Sequence, residues 1–209
     1  MSGPRPELRA RILAQAGARP APTRAGLARR RAFAAVGSVA WLAIVSSFGH
    51  VRPAAAGAVM LVVWAALALG FGVYFARVRG ARVARSPFAL GALTPIGAVL
   101  VLAATTVLGA WLGHSTDHHS GVIECAVLSI ACSLGPLALA LYVERRSDPI
   151  APAASGAALG AVAGALGGVA MSFICARTET AHVLVGHVTG FVAVAIVAAL
   201  VGRRVLALR

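Results

Sequence analysis

Apolar residues in this chain come in long unbroken runs, not in the alternating or one-faced patterns of soluble strands and helices. Six runs cover approximately 32–48, 54–76, 88–112, 122–143, 150–174 and 183–201. At ~1.5 Å per residue, about 20 residues of helix cross a hydrocarbon core ~30 Å thick. The first run is the shortest and sits at the low end of the spanning range. In lipid no water can satisfy the backbone, so each run predicts a helix. The connections are short, which makes neighbouring helices antiparallel. The expected fold class is all-α: a polytopic six-transmembrane-helix bundle formed by residues 32–209. Residues 1–31 are polar, rich in Arg, Pro and Ala, and form a separate tail.

Composition agrees with the pattern. The 209 residues are 59% hydrophobic and only 12% charged, a balance that a soluble domain of this length does not need. The net charge of +13 would suggest nucleic acid in a soluble protein. Its placement gives a simpler account. Seventeen of the nineteen Arg lie in the tail, the 77–87 and 144–149 connections and the C-terminus, while only Arg52 and Arg177 lie in the alternate connections. The positive-inside bias therefore puts both termini in the cytoplasm and predicts a bacterial inner-membrane protein with no direct nucleic-acid contact. Arg30-Arg31-Ala32-Phe33 looks like a twin-arginine signal and Pro53-Ala54-Ala55-Ala56 like a cleavage site. Five further runs follow, so the first run reads as an anchor.

All six His fall toward the opposite, outer side. The connection between the third and fourth runs holds His114, Asp117, His118 and His119, and Glu124-Cys125 opens the fourth run. Cys175 closes the fifth run, followed by Arg177, Glu179, His182 and His187. Cys, His and carboxylate are the ligands of zinc and related divalent metals. The metal candidates are His118, His119, His182 and His187, with solvated loop polars as the competing reading. No resident cofactor beyond such a metal is expected. Cys125 and Cys175 lie at similar depth and suit a disulfide or thiol switch. Cys132, two turns deeper, reads as a small buried apolar residue.

Gly156, Gly160, Gly164 and Gly168 repeat every four residues in the fifth run. Such a stripe lets helix backbones approach closely, within one chain or across a dimer. Pro95 and Pro136 lie inside runs, where they kink helices. No ionisable group lies deep in any run, which weighs against the alternative of a small-solute or metal transporter or channel. No nucleophile–base pair, catalytic carboxylate pair or phosphate loop can be argued, so no enzyme is expected. In the tail, Pro6 and Glu7 open a short helix that Gly17 ends, with Leu8, Ile12 and Leu13 on one face. That face can order on a partner's groove or lie on the anionic inner leaflet of the bilayer.

The last third carries a further signal. Ser147-Asp148-Pro149 precedes Gly156-Ala-Ala-Leu-Gly160-Ala-Val-Ala-Gly164, then come Cys175, His182-Val-Leu-Val-Gly-His187 and Gly202-Arg203-Arg204. With the tail, the six runs and the outer rim, these motifs resemble the NrsF-like family of six-span membrane anti-sigma factors. The resemblance implies that a cytoplasmic N-terminal segment holds an extracytoplasmic-function sigma factor inactive, and that an outer redox or metal signal releases it. On this reading residues 7–16 bind the partner through Leu8, Ile12 and Leu13, and Cys125 and Cys175 are the sensor thiols.

Overall fold

The computed structural model describes residues 23–49, 55–80, 87–112, 121–145, 151–175 and 179–207, together with Glu7, Ala10, Ala14 and Arg177. Among these residues all regular structure is helical. The elements are α1 (Arg24–Ser47), α2 (Ala55–Gly80), the short α3 (Pro87–Gly91), α4 (Leu93–Leu112), α5 (Val122–Glu144), α6 (Pro152–Ile174) and α7 (Thr180–His182), which continues through a π-turn (Val183–Val188) into α8 (Thr189–Val205). Five helical stretches are long and apolar enough to cross a membrane: Gly57–Arg77, Phe88–Val107, Val122–Glu144, Pro152–Ile174 and Thr180–Val205. Helix α1 is not among them. Its 24 residues include Arg24, Arg29, Arg30 and Arg31, which shorten its apolar part. Large apolar side chains such as Val62, Leu69, Val99, Leu134, Ile196 and Leu200 point outward, the arrangement expected where lipid is the solvent.

Helix α6 is the central pillar. It packs most extensively on α8, then on α2 and α5. Two-thirds of its spanning stretch (67%) is buried, against 28–50% for the other four. The glycine stripe makes this possible. A Cβ on Gly156 would strike the Ala198 carbonyl oxygen, and one on Gly160 would stand 2.6 Å from the Ala195 Cα. At Gly164 it would meet Phe191 and at Gly168 the Trp64 ring. Each glycine thus removes the one group that would hold two backbones or a large ring away. Trp64 and Phe191, both fully buried, fill the space so opened, with centroids 5.7 Å apart and planes tilted by 56°. The stripe serves packing within the chain.

The two prolines act differently. Pro95 falls in the first turn of α4, just after the break at Ala92 that separates α3 from α4. The helix restarts where the missing N–H does least harm. Pro136 lies mid-helix in α5 and cannot donate to the Cys132 carbonyl four residues back. Trp41 of α1 fills the vacancy, its Nε1–H donating to the Cys132 oxygen over 2.8 Å. Gly135 lets the indole lie flat on α5, since a Cβ there would stand 2.5 Å from the Trp41 ring. One turn toward the start of α1, Gly37 meets Leu139, and Arg31 Nε donates to Glu144 Oε1 over 2.8 Å. Helix α1 is therefore fastened antiparallel along α5.

This packing gathers Arg31, Arg77, Arg145 and Arg203 at one end of the bundle and Cys125, Cys175 and His182 at the other. Between α1, α5 and α6 lies a cleft of about 290 Å³ lined by Ala34, Ser38, Pro136, Leu159 and Leu166. It is apolar, and the Ser38 hydroxyl is turned to the Ala34 carbonyl of its own helix.

Two glycine substitutions separate packing from propensity. Gly160→Ala must push α6 from α8 and is expected to cost about 1–3 kcal/mol. Gly70 has open space around it, so Gly70→Ala should be neutral or stabilising by up to about 1 kcal/mol. Melting of the two variants in one detergent checks this, and equal effects would contradict the close approach.

Candidate functional site

Three chain segments meet at the cysteine end. Helix α5 begins after Gly121, whose φ of 78° is open to glycine at little cost. Cys125 follows on its first full turn, its N–H bonded to the Gly121 carbonyl. Helix α6 stops at Cys175, where the backbone turns extended and the N–H still reaches the Met171 carbonyl. The two thiols face each other with Sγ atoms 3.7 Å apart, and both cysteines are free. Gly186 on the third segment permits the approach, since a Cβ there would stand 3.2 Å from the Cys125 Cβ.

The third segment brings the histidines. In an α-helix, positions five apart are rotated by about 140° and face different ways. Residues Val183–Val188 instead form a π-turn, in which the bond spans five residues and stacks i over i+5. The Thr189 N–H closes it on the Leu184 carbonyl, and the Thr189 hydroxyl reaches the same oxygen. His182 and His187 consequently share a face, with ring centroids 5.6 Å apart in an edge-to-face pair. They are 2% and 5% exposed. His182 Nε2 lies 3.4 Å from Cys175 Sγ. The other ring nitrogen of His182, Nδ1, and the Nε2 of His187 are buried without a partner among the described residues. One ligand atom from each of Cys125, Cys175, His182 and His187 lies within 4.8 Å of all the others.

The cluster joins two groups that sequence alone kept apart, the candidate sensor thiols Cys125 and Cys175 and the candidate metal ligands His182 and His187. The other metal candidates, His118 and His119, lie outside the described residues, as do the tail anchors Leu8, Ile12 and Leu13. Glu7, Ala10 and Ala14 of the tail are helical and exposed. Cys132 is buried against Ala170 and Met171, outside the cluster. Gly156, Gly160, Gly164 and Gly168 line the α6 contacts described above. The Arg31–Glu144 pair was not legible, because Glu144 sits where a polar connection was expected; its side chain is only 5% exposed. The signal that finds it is a lone acid at the end of an apolar run facing a cluster of Arg.

Chemically, two half-buried thiols and two buried imidazoles suit either thiol oxidation or a soft divalent cation. Residues 13–207 match the protein family described as "Negative regulator of sigma F". The chain belongs to the NrsF family. By that description it is an anti-sigma factor, a regulator of transcription and not a member of an enzyme class, and its spanning helices make it a membrane protein. Searches of curated proteins and of solved structures each returned no match. The NrsF match covers α1 to α8, so the cysteine–histidine cluster and the α1–α5 fastening both lie within it.

The thiol geometry makes a direct prediction. A disulfide requires sulfurs about 2.05 Å apart, a short closure from 3.7 Å. Mild oxidation of the membrane-embedded protein should give a Cys125–Cys175 cross-linked peptide by mass spectrometry, unchanged in Cys132→Ser. Free alkylation of both Cys125 and Cys175 after oxidation would exclude the pairing.

Proposed function

We propose that this NrsF protein holds an extracytoplasmic-function sigma factor inactive at a bacterial inner membrane and releases it when the cysteine–histidine cluster changes its redox or metal state. In this reading α1 is the sixth span, both termini are cytoplasmic, and residues 1–31 are the output tail on a membrane domain of residues 32–209. The arginine distribution supports that orientation. In that orientation the cluster lies on the outer side and the Arg31–Glu144 pair on the inner side. Leu8, Ile12 and Leu13 are the proposed partner-binding face, ordering on a groove of the sigma factor.

The observation that carries the proposal is the course of α5. Its first full turn bears Cys125 and its last residue, Glu144, holds Arg31, where the tail enters the bundle. A helix of 23 residues, about 34 Å long, thus touches the cluster at one end and the root of the tail at the other. Movement of Cys125 against Cys175 tilts or rotates this rod, and Trp41 and Arg31 carry the movement to α1. The signal shifts sigma binding only as far as the tail's two arrangements differ in affinity. A transport pathway would need polar or ionisable groups deep in the bundle, and the cleft between α1, α5 and α6 is apolar.

Retention of the sigma factor encoded beside this gene on vesicles carrying the full chain tests the reading. Retention should vanish when residues 1–20 are deleted and fall when a peroxide or a thiol-reactive metal is added outside. Binding indifferent to the deletion would overturn it. Glu144→Gln keeps the cluster and weakens the charge-assisted bond to Arg31, which is worth about 1.5–3 kcal/mol. It should blunt release by the outer signal while leaving Cys125–Cys175 cross-linking intact.

A further inference from the structure

The geometry assigns Cys125, Cys175, His182 and His187 to one site for a single four-coordinate divalent cation of the zinc class. The inference deepens the sensing role proposed above by naming the ligand of that site, and it does not depend on the identity of the sigma factor.

Four observations carry it. The first is spacing. With metal–sulfur bonds of about 2.3 Å and metal–nitrogen bonds of about 2.05 Å, tetrahedral edges are about 3.8 Å between sulfurs and about 3.6 Å between sulfur and nitrogen. The corresponding separations are 3.7 Å between Cys125 and Cys175 and 3.4 Å between Cys175 and His182. The second is donor set. Two sulfurs and two imidazole nitrogens in a tetrahedron select zinc over the oxygen-seeking cations. Four protein ligands leave no open position, so the site is of the structural and not the catalytic kind.

The third is charge. Two thiolates neutralise a divalent cation and two imidazoles bind as neutral ligands, so the filled site has no net charge. That suits a pocket in which both histidines are almost fully buried, because an isolated charge there is costly. The fourth is the π-turn. Such turns are rare and are frequent at functional sites. Here it alone places His182 and His187 on one face. A regular helix through the same residues would aim one imidazole away from the thiols. His187 Nε2 is buried without a partner among the described residues, an acceptor or donor that a ligand or second-shell contact would occupy.

The test uses full-length protein purified in detergent without chelator. Elemental analysis should find about one zinc per chain by the stoichiometry of one such site. Cobalt(II) titrated into zinc-free protein should give the intense visible bands of tetrahedral coordination with thiolate charge transfer in the near ultraviolet. Cys175→Ser and His187→Ala should each weaken cobalt binding by more than about 100-fold, beyond what second-shell changes produce, whereas Cys132→Ser should not. Because a ligand variant can misfold, a second measurement uses the native chain: zinc should protect Cys125 and Cys175, and not Cys132, from maleimide, and a chelator should remove the protection. A weak octahedral cobalt spectrum, metal retained by the Cys125→Ser, Cys175→Ser double variant, or labelling indifferent to zinc would overturn the assignment. Failure of sigma retention with tetrahedral cobalt present would reject the regulatory reading and leave the metal site standing.

Discussion

A helix surrounded by lipid has no solvent to complete its backbone hydrogen bonds, and an open polar group there costs several kcal/mol. Every departure from the regular ladder must therefore be answered by something in the protein. Besides the break at Ala92 ahead of Pro95, two departures occur in the described spans, and both sit where the proposed mechanism needs them. Pro136 opens the Cys132 carbonyl, and Trp41 closes it. Without that indole N–H, α1 would lose the bond that fixes its height along α5. The π-turn is the second departure. Its bonds span five residues instead of four, and in return it brings together two imidazoles that α-helical geometry would separate.

The rest of the bundle keeps these two features in place by close contact and not by polar glue. Helix α6 carries its glycines against α8 and Trp64, and Gly167 does the same against Ser133 of α5. In a bilayer such contact is the main source of association, because lipid chains are as apolar as the helix surfaces they compete for. It also fixes where Cys175 ends up. The end of α6 is set by its packing on α5 and α8, and the thiol stands opposite Cys125 as a result.

Hydropathy read most of this architecture because the physics of a span is one-dimensional: length and apolarity suffice. Five spanning stretches lie where the runs predicted, and helix ends differ by a few residues because polar residues such as Glu144 and Thr180 continue a helix beyond the apolar run. Helix α1 shows the limit, since the arginines at its start belong to the same helix as its apolar part. The cysteine pair was legible from depth alone. Two residues at matching distances from the ends of antiparallel helices come close in any compact bundle. His182 and His187 were both named as metal candidates, but their joining to the thiols on one face was not legible, because a spacing of five implies different faces until a π-turn is allowed. Arg31 and Glu144 were hidden for another reason. Their partnership spans 113 residues, and nothing local marks it.

Thiol oxidation and metal binding at this cluster form one chemical system. If the proposed metal binds, both sulfurs would be thiolates, and the thiolate is the nucleophile that attacks a peroxide. Attack by one sulfur followed by disulfide closure removes two electrons from the pair. The peroxide takes them with two protons and leaves as two waters. The disulfide is neutral, so a cation held by Cys125, Cys175, His182 and His187 would lose both of its anionic ligands at once and keep only two imidazoles, too few for a closed site. On the proposed reading, oxidation and metal loss would have the same consequence: the tie between α5, the end of α6 and the π-turn would be broken. A thiol-seeking metal that displaced such an ion would keep the tie but change its bond lengths. Both kinds of signal would act on the end of α5 that bears Cys125, and the fastening to α1 lies farther along the same helix.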